Sequence, residues 1–148
     1  MKNIILTFDI LQDQQAYLKE GLKIAKLFTP EEVILLDIID TVELELIEAE
    51  QRDIVVAEQK EREAKMQQLL VKINEQLPFS LAAKVTVGNP KKEIVKIANE
   101  EKSGLVICGN HHYSKLEYIL KYGSVSTYLT QHLSCNLLIL NTTDNFNN

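Results

Sequence analysis

A series of short apolar segments, separated by segments with helical periodicity, restricts the fold of this chain more than any other feature. Four of these segments lie at Asn3–Phe8, Glu32–Ile39, Gly104–Gly109 and Asn136–Asn141, and they are apolar at consecutive positions. A strand without a polar face must be buried on both sides, which is typical of a parallel sheet. A fifth segment, Ala83–Val87, alternates polar and apolar residues, as an exposed edge strand does.

Between these segments the sequence predicts helices. Apolar residues at helical spacing indicate helices over Asp13–Phe28, over about Val42–Leu77, from Lys91 onward and over Gly123–His132. Weaker periodicity predicts a break in the second of them between Thr41 and Ile54. The order β-α-β-α-β-α-β-α-β therefore predicts an α/β fold with a doubly wound five-stranded parallel sheet and helices on both faces.

The length of 148 residues fits one domain. We expect this domain to cover residues 1–142 and a polar tail to cover residues 143–148. No apolar run approaches the roughly 18 residues that a membrane span needs, and no secretory signal is evident. We therefore expect a cytoplasmic protein with no membrane partner.

The formal net charge of −5 is concentrated in one segment. Between Thr41 and Glu63, eight acidic residues stand against three basic ones, so the rest of the chain is neutral. Nucleic-acid binding requires a basic surface that neutralises phosphates, and the sequence predicts none. Nucleic acid is therefore not an expected partner.

The strongest functional signal lies where the strand that ends at Gly109 leads, through a polar loop, to Gly123 and Ser124. Glycine and serine at this point predict the start of a helix, where free backbone N–H groups and the helix dipole favour an anion. Ligands of doubly wound sheets bind beyond the carboxyl ends of the strands, where the winding direction reverses. Asp9 and residues 38–40 follow neighbouring strands and are expected at the same edge.

Four pieces of the sequence together resemble the universal stress protein family. They are NIILTFD, EEVILLDIID, VTVGNPKKEIVKIANEE and the block LVICG…GSVSTYLTQHLSCNLLIL, which occur in the family's order and spacing over essentially the full chain. The resemblance implies the strand order 3-2-1-4-5 and a homodimer. For one branch of the family it also implies ATP binding, with Mg²⁺, whereas other branches bind no nucleotide.

The same resemblance implies which residues would hold the nucleotide. Gly109 matches the first glycine of the family's phosphate motif, and Gly123 with Ser124 match its last pair. His112 stands where the second glycine is expected, and ten residues instead of nine separate it from Gly123. The implied phosphate site comprises Gly109, Asn110, His112, Gly123, Ser124, Val125 and Ser126. Thr7 and Phe8 would border the adenine, Asp9 would hold the ribose or a metal, and Ile38 would contact the base.

Simpler interpretations of two of these residues stay open. Asp9 is also a residue type that caps the following segment, and Gly109 alone is compatible with an ordinary turn at the end of a strand.

The sequence contains neither a P-loop nor a nucleophile elbow, and no residue is an evident base for activating water. We therefore do not expect an enzyme, beyond slow ATP hydrolysis.

Two functions remain open at this point. The first is a homodimeric ATP-binding module with a regulatory role in the stress response, read by a regulatory protein partner. The second is a universal stress protein without nucleotide that acts as a protein-interaction module.

The dimer interface is expected at the last strand. Residues 137–140 are apolar throughout although the implied topology puts them at a sheet edge, so we expect the dimer to form through strand 136–141.

Overall fold

The computed structural model describes residues 1–40, 49–109 and 125–141. Its strands are β1 (Asn3–Thr7), β2 (Glu32–Asp40), β3 (Ser80–Gly88), β4 (Leu105–Gly109) and β5 (Asn136–Leu140). They form one sheet in the order β3-β2-β1-β4-β5, and every neighbouring pair is parallel. The predicted fold class and strand order are confirmed.

The helices are α1 (Gln15–Leu27), α2 (Ala49–Ile73), α3 (Pro90–Glu100) and α4 (Val125–His132), and a 3₁₀ turn over Asn74–Gln76 follows α2. Helix α1 begins two residues later than predicted, because Gln14 has a non-helical backbone conformation and serves as its N-cap. The predicted break between residues 41 and 54 falls partly on residues 41–48, outside the described part of the chain. None of the helices described is long and apolar enough to cross a membrane.

Strand β3 is longer than predicted. Its pairing with β2 runs without interruption from Ser80 opposite Glu32 to Gly88 opposite Asp40, so the ladder extends beyond the alternating segment. Most of its side chains are half-buried, as the alternation indicated for an edge strand.

The two faces of the sheet are covered by different helices. On the first face, α1 and α2 contribute Tyr17 and Met66 to a core with Leu6 and Leu35. On the second face, α3 and α4 contribute a separate core, which includes Ile97 and Leu129 packed against Ile5 and Ile34. Successive residues of β1 and β2 thus enter opposite cores, which explains why both strands are apolar at consecutive positions.

The winding direction reverses between β1 and β4. The chain first moves from β1 outward to β2 and β3, and it then crosses to β4 and β5 on the other side. Leu6 of β1 pairs with Ile107 of β4, so the carboxyl ends at Thr7 and Gly109 lie together at one edge. This edge between β1 and β4 is the position at which doubly wound sheets bind ligands, and it is called the crevice below.

We expect Gly21→Ala to destabilise the protein although alanine is the better helix former. A Cβ atom at position 21 would lie 2.8 Å from Cδ1 of Leu6, whose side chain is fully buried. Overpacking of this kind costs about 1–3 kcal/mol, which outweighs a gain in helix propensity of about 1 kcal/mol. Urea unfolding measures the difference, with Lys23→Ala at an exposed position of the same helix as the control.

The double variant Leu6→Val with Gly21→Ala checks the cause. Valine lacks the Cδ atoms that meet the new methyl group, so the double variant should be more stable than the two single changes predict together. A Gly21→Ala protein that is more stable than wild type would contradict the packing argument.

Candidate functional site

The loop between β1 and α1 is held in place at three consecutive backbone N–H groups. The N–H of Asp9 donates to Oε1 of Gln14 at 3.0 Å, and the N–H of Ile10 donates to Oδ2 of Asp37 at 3.4 Å. The N–H of Leu11 donates to Oδ1 of Asp9 at 2.9 Å. Three side-chain acceptors therefore fix the loop that carries Asp9 at the edge of the crevice.

Asp9 has two roles that the geometry makes compatible. Its bond from the N–H of Leu11 closes an Asx turn, so the aspartate does order the segment that follows, although Gln14 and not Asp9 is the N-cap of α1. The side chain remains 30% exposed. Within the described residues both of its contacts use Oδ1, so Oδ2 is available to accept a hydrogen bond from a ligand.

Gln14 contributes an unusual buried group to the same loop. Its side chain is only 2% exposed, and its Oε1 accepts the N–H of Asp9. The other amide atom, Nε2, is buried and has no hydrogen-bond partner among the residues that the structure describes. Such an orphan donor costs about 1–3 kcal/mol, and buried unsatisfied groups in native proteins call for a functional or structural reason.

Behind Asp9 lies a cluster of four charged side chains, which we call the Arg62 cluster: Asp9, Asp37, Glu58 and Arg62. Nη1 of Arg62 lies 2.8 Å from Oδ1 of Asp37 and 3.6 Å from Oδ1 of Asp9. Nη2 of Arg62 lies 2.8 Å from Oε1 of Glu58, one turn earlier on α2. With all four groups ionised, the cluster carries a net negative charge.

Asp37 is the most deeply buried acid of this cluster, with 2% of its side chain exposed. It lies in β2 between Leu35 and Ile39, which both belong to the core of the first face. Burial raises the pKa of Asp37 from its ordinary 3.8 to about 6; the charge of Arg62 opposes this rise and that of Asp9 adds to it. Asp37 is therefore ionised at neutral pH and takes up a proton in mildly acidic solution.

Arg62 keeps its charge throughout this range. Burial by itself would lower its pKa, but the hydrogen bond to Glu58 and the charges of Asp37 and Asp9 more than offset burial and raise the pKa. The planar guanidinium suits this position, because its fork of donors reaches carboxylates on two sides at once.

Asp37, Arg62 and Gln14 are site residues that were not predicted from the sequence. A signal for Asp37 was present, because it is the one charged residue inside the apolar run from Val33 to Ile39. An acid in a strand buried on both faces requires a buried partner. No spacing rule indicated that the partner is Arg62, since the pairing depends on how α2 crosses the sheet.

Gly109 has a packing role on the opposite side of the crevice. The hydroxyl of Tyr17 lies 3.2 Å from Oγ1 of Thr7 and donates to the carbonyl of Ile107 at 3.3 Å. The ring of Tyr17 then leaves little space at Gly109, where a Cβ atom would lie 3.2 Å from Cε1. Glycine is thus favoured at this position whether or not a phosphate binds there.

The structure places the other predicted site residues as follows. The side chain of Phe8 is buried in the first-face core, so a contact between Phe8 and a base would use its backbone. Ile38 and Val125 are half-buried against the second-face core, and Ser126 lies in the first turn of α4. The remaining predicted residues, Asn110, His112, Gly123 and Ser124, lie outside the described residues.

Among the residues described, the crevice thus combines Asp9, whose loop is held by hydrogen bonds, with a glycine at the end of β4, at the reversal point of a five-stranded parallel sheet. A sequence model of the universal stress protein family matches residues 1–141. The chain belongs to the universal stress protein family. A search of curated proteins finds no match.

Solved structures with the same fold include several proteins of this family. The hypothetical protein MJ0577 is 28% identical over 97% of this chain and 98% of its own, with a TM-score of 0.72. Universal stress protein UspA from Lactobacillus plantarum is 22% identical over 94% of this chain and 97% of its own, with a TM-score of 0.69.

A third structure, of a universal stress protein in complex with cAMP, is 17% identical over 96% of this chain and 98% of its own, with a TM-score of 0.62. Two further family structures hold AMP, in a protein from Arabidopsis thaliana, and dAMP, in one from Archaeoglobus fulgidus. At identities of 22% and below, these similarities establish a shared fold.

We expect the contribution of Asp37 to the free energy of unfolding to fall as the pH rises from about 4 to about 6. The folded protein keeps a proton on Asp37 up to about pH 6, whereas the unfolded chain releases it near 3.8. At about 1.4 kcal/mol per pKa unit, the difference between wild type and Asp37→Asn should decrease by roughly 2–3 kcal/mol over this interval.

Urea unfolding at several pH values measures that difference. Glu61→Gln, at an exposed position of α2, is the control and should change little with pH relative to wild type. A difference between wild type and Asp37→Asn that stays constant with pH would show that Asp37 does not titrate in this range.

Proposed function

We propose that this universal stress protein is a cytoplasmic homodimeric module that binds an adenine nucleotide, in the first place ATP with Mg²⁺, and reports the nucleotide state to a regulatory protein partner. The observation that carries the proposal is the position of Asp9. Its partly exposed carboxylate is held at the carboxyl end of β1, across the reversal point from Gly109. Family structures that hold cAMP, AMP and dAMP support an adenine nucleotide as the ligand.

The charges of the site favour one orientation of the nucleotide. Ribose hydroxyl groups donate hydrogen bonds, so they suit a carboxylate such as that of Asp9. The net negative Arg62 cluster repels phosphates from this side, whereas the N-terminus of α4 attracts them. The proposed pose has the base toward Ile38, the ribose at Asp9, and the phosphates at residues 123–126.

Mg²⁺ is proposed to bind together with the phosphates of ATP. Among the described residues, no group of three or more His, Cys, Asp or Glu side chains could hold a metal ion. Mg²⁺ commonly binds through one or two carboxylates together with substrate phosphates. Asp9 would be the carboxylate of such a site in the alternative pose, in which it holds the metal instead of the ribose.

We propose a binding role for this site, with slow hydrolysis at most. Asp37 and Glu58 are engaged by Arg62, and Asp9 has the ribose as its proposed partner, so no carboxylate of the cluster is assigned to activating water. The alternative is a nucleotide-free interaction module, and the packing of Tyr17 against Gly109 favours it, because that contact explains the glycine without a phosphate.

We expect the purified protein to release adenine nucleotide on denaturation and to bind ATP in calorimetric titration. Asp9→Ala removes the proposed ribose acceptor and should weaken binding about tenfold or more, as the loss of a hydrogen bond to a charged group does. Asp13→Ala, an exposed acid in the same loop, is the matched control and should leave the affinity unchanged.

The paired substitution Gly123→Val with Ser124→Val tests the phosphate end of the pose and should abolish binding. A folded wild-type protein that binds no adenine nucleotide would contradict the proposed nucleotide binding and would favour the interaction module. Unchanged affinity in the paired variant would move the phosphate site elsewhere.

The homodimer is proposed from the exposed edge of the sheet. Strand β5 is paired with β4 on one side, and its residues Leu137–Leu140 are apolar yet only partly buried. Ile139 is 41% exposed. An apolar edge strand invites pairing with another strand, and a two-fold arrangement with a second copy would cover it.

Ile139→Lys should therefore convert the dimer to a monomer. Near a two-fold axis, the change removes apolar contact and brings two like charges together. Light scattering coupled to size-exclusion chromatography measures the mass. Val71→Lys is the control, because Val71 is an exposed valine on helix α2 and not on the edge strand β5. A monomeric wild type at micromolar concentration would contradict the proposal.

A further inference from the structure

We infer that Arg62 is a positioning residue of the nucleotide crevice, which holds Asp37 and through it the loop that carries Asp9. This inference rests on the proposed nucleotide binding and adds a residue, on α2, that the family's sequence motif does not include. Arg62 acts on the site through carboxylates rather than by touching the ligand.

The contacts of Arg62 show why it does not serve as a phosphate ligand. Its side chain is 11% exposed, and all of its terminal nitrogens face carboxylates. Nε and Nη2 donate to Oε1 of Glu58 at 3.3 and 2.8 Å, and Nη1 donates to Oδ1 of Asp37 at 2.8 Å. An incoming phosphate would have to displace these partners.

Asp37 transmits the position of Arg62 to the loop. Its Oδ1 accepts from Arg62, and its Oδ2 accepts from the backbone N–H of Ile10, the residue next to Asp9. One buried carboxylate thereby ties α2 to the loop between β1 and α1. Ionised Asp37 is the stronger acceptor for that N–H, and Arg62 keeps Asp37 ionised.

The charges around Asp37 leave Arg62 as its counter-charge. The charge of Asp9 acts on it from the loop and that of Arg62 from α2, and Glu58 contacts Arg62 through Nη2. On β3, the residue in register with Asp37 is the apolar Val85. Within the described parts of the chain, Arg62 is the one cation in contact with this carboxylate.

Protonation of Asp37 should therefore weaken nucleotide binding. Once Asp37 is neutral, Arg62 has only Asp9 and Glu58 as charged partners, and a closer approach to Asp9 competes with the ribose hydroxyls. The loop also loses its charged acceptor at Ile10. Because the pKa of Asp37 is raised to about 6, the affinity should fall as the pH decreases through this value.

The first test compares AMP affinity by calorimetry in Arg62→Met, Arg62→Lys and Lys65→Met. Arg62→Met should raise the Kd about tenfold or more, and Arg62→Lys, which keeps the charge but not the fork, should lie between it and wild type. Lys65→Met makes the same change three residues further along α2, at a side chain that is 46% exposed, and should leave the Kd unchanged. If Arg62→Met does not fold, Arg62→Lys and Asp37→Asn carry the test.

The second test measures AMP affinity at about pH 7.5 and about pH 5.5, on either side of the titration of Asp37. The phosphate of AMP titrates in the same range, so the result is the difference between wild type and Asp37→Asn, which cancels the contribution of the ligand. Wild type should lose more affinity on acidification than Asp37→Asn does. Equal losses would overturn the positioning role.

A third measurement needs no nucleotide. In wild type, the ¹⁵N–¹H chemical shift of the Ile10 amide should show a transition near pH 6. This transition should be absent in Asp37→Asn. In Arg62→Lys it should move to higher pH, because lysine lacks the guanidinium fork and pairs less well with Asp37. An Ile10 amide without such a transition would overturn the inference by itself.

The outcomes separate the two proposals. A folded wild type that binds no adenine nucleotide overturns the proposed function and this inference together. Wild-type binding that Arg62→Met and Arg62→Lys leave within twofold overturns the positioning role alone. Weaker binding in both variants, with Lys65→Met unchanged, supports it.

Discussion

The burial of β1 on both faces is the constraint on which the rest of this structure depends. Residues 4–6 are fully buried, and they alternate between two separate cores. A strand in this position needs a parallel neighbour on each side and helices above and below. Once β1 is central, the crossover from β3 to β4 must reverse the winding direction beside it, which creates the crevice at its carboxyl end.

The Arg62 cluster departs from this apolar organisation at one point. In place of a hydrophobic residue between Leu35 and Ile39, β2 carries Asp37, and α2 supplies the cation that keeps it ionised. A buried ion pair is weak evidence for stability, because desolvation offsets most of the attraction. Its geometry instead connects an outer helix to the loop beside the crevice, and this is why we assign it a functional role.

The fold was predictable because it depends on patterns that repeat over many residues. Apolar runs, helical periodicity and turn residues all indicated the same β-α alternation, and errors were confined to the ends of elements such as α1 and β3. The candidate site was predictable only where it coincides with a strand end, as at Asp9 and Gly109. The contacts of Tyr17 with Thr7 and Ile107, and of Arg62 with Asp37, join groups that lie 10 to 90 positions apart in the sequence, and no local pattern encodes them.

The sequence by itself determined the parallel sheet and its edge strand β3, because both follow from the period and polarity of the apolar segments, whereas the strand order that fixes the reversal point was implied by the family resemblance. Only the tertiary structure decided that Asp37 is paired with Arg62, that three acceptors hold the Asp9 loop, and that the ring of Tyr17 occupies the space beside Gly109. These depend on how α1 and α2 are oriented on the first face, and helix orientation is set by the packing of the whole core.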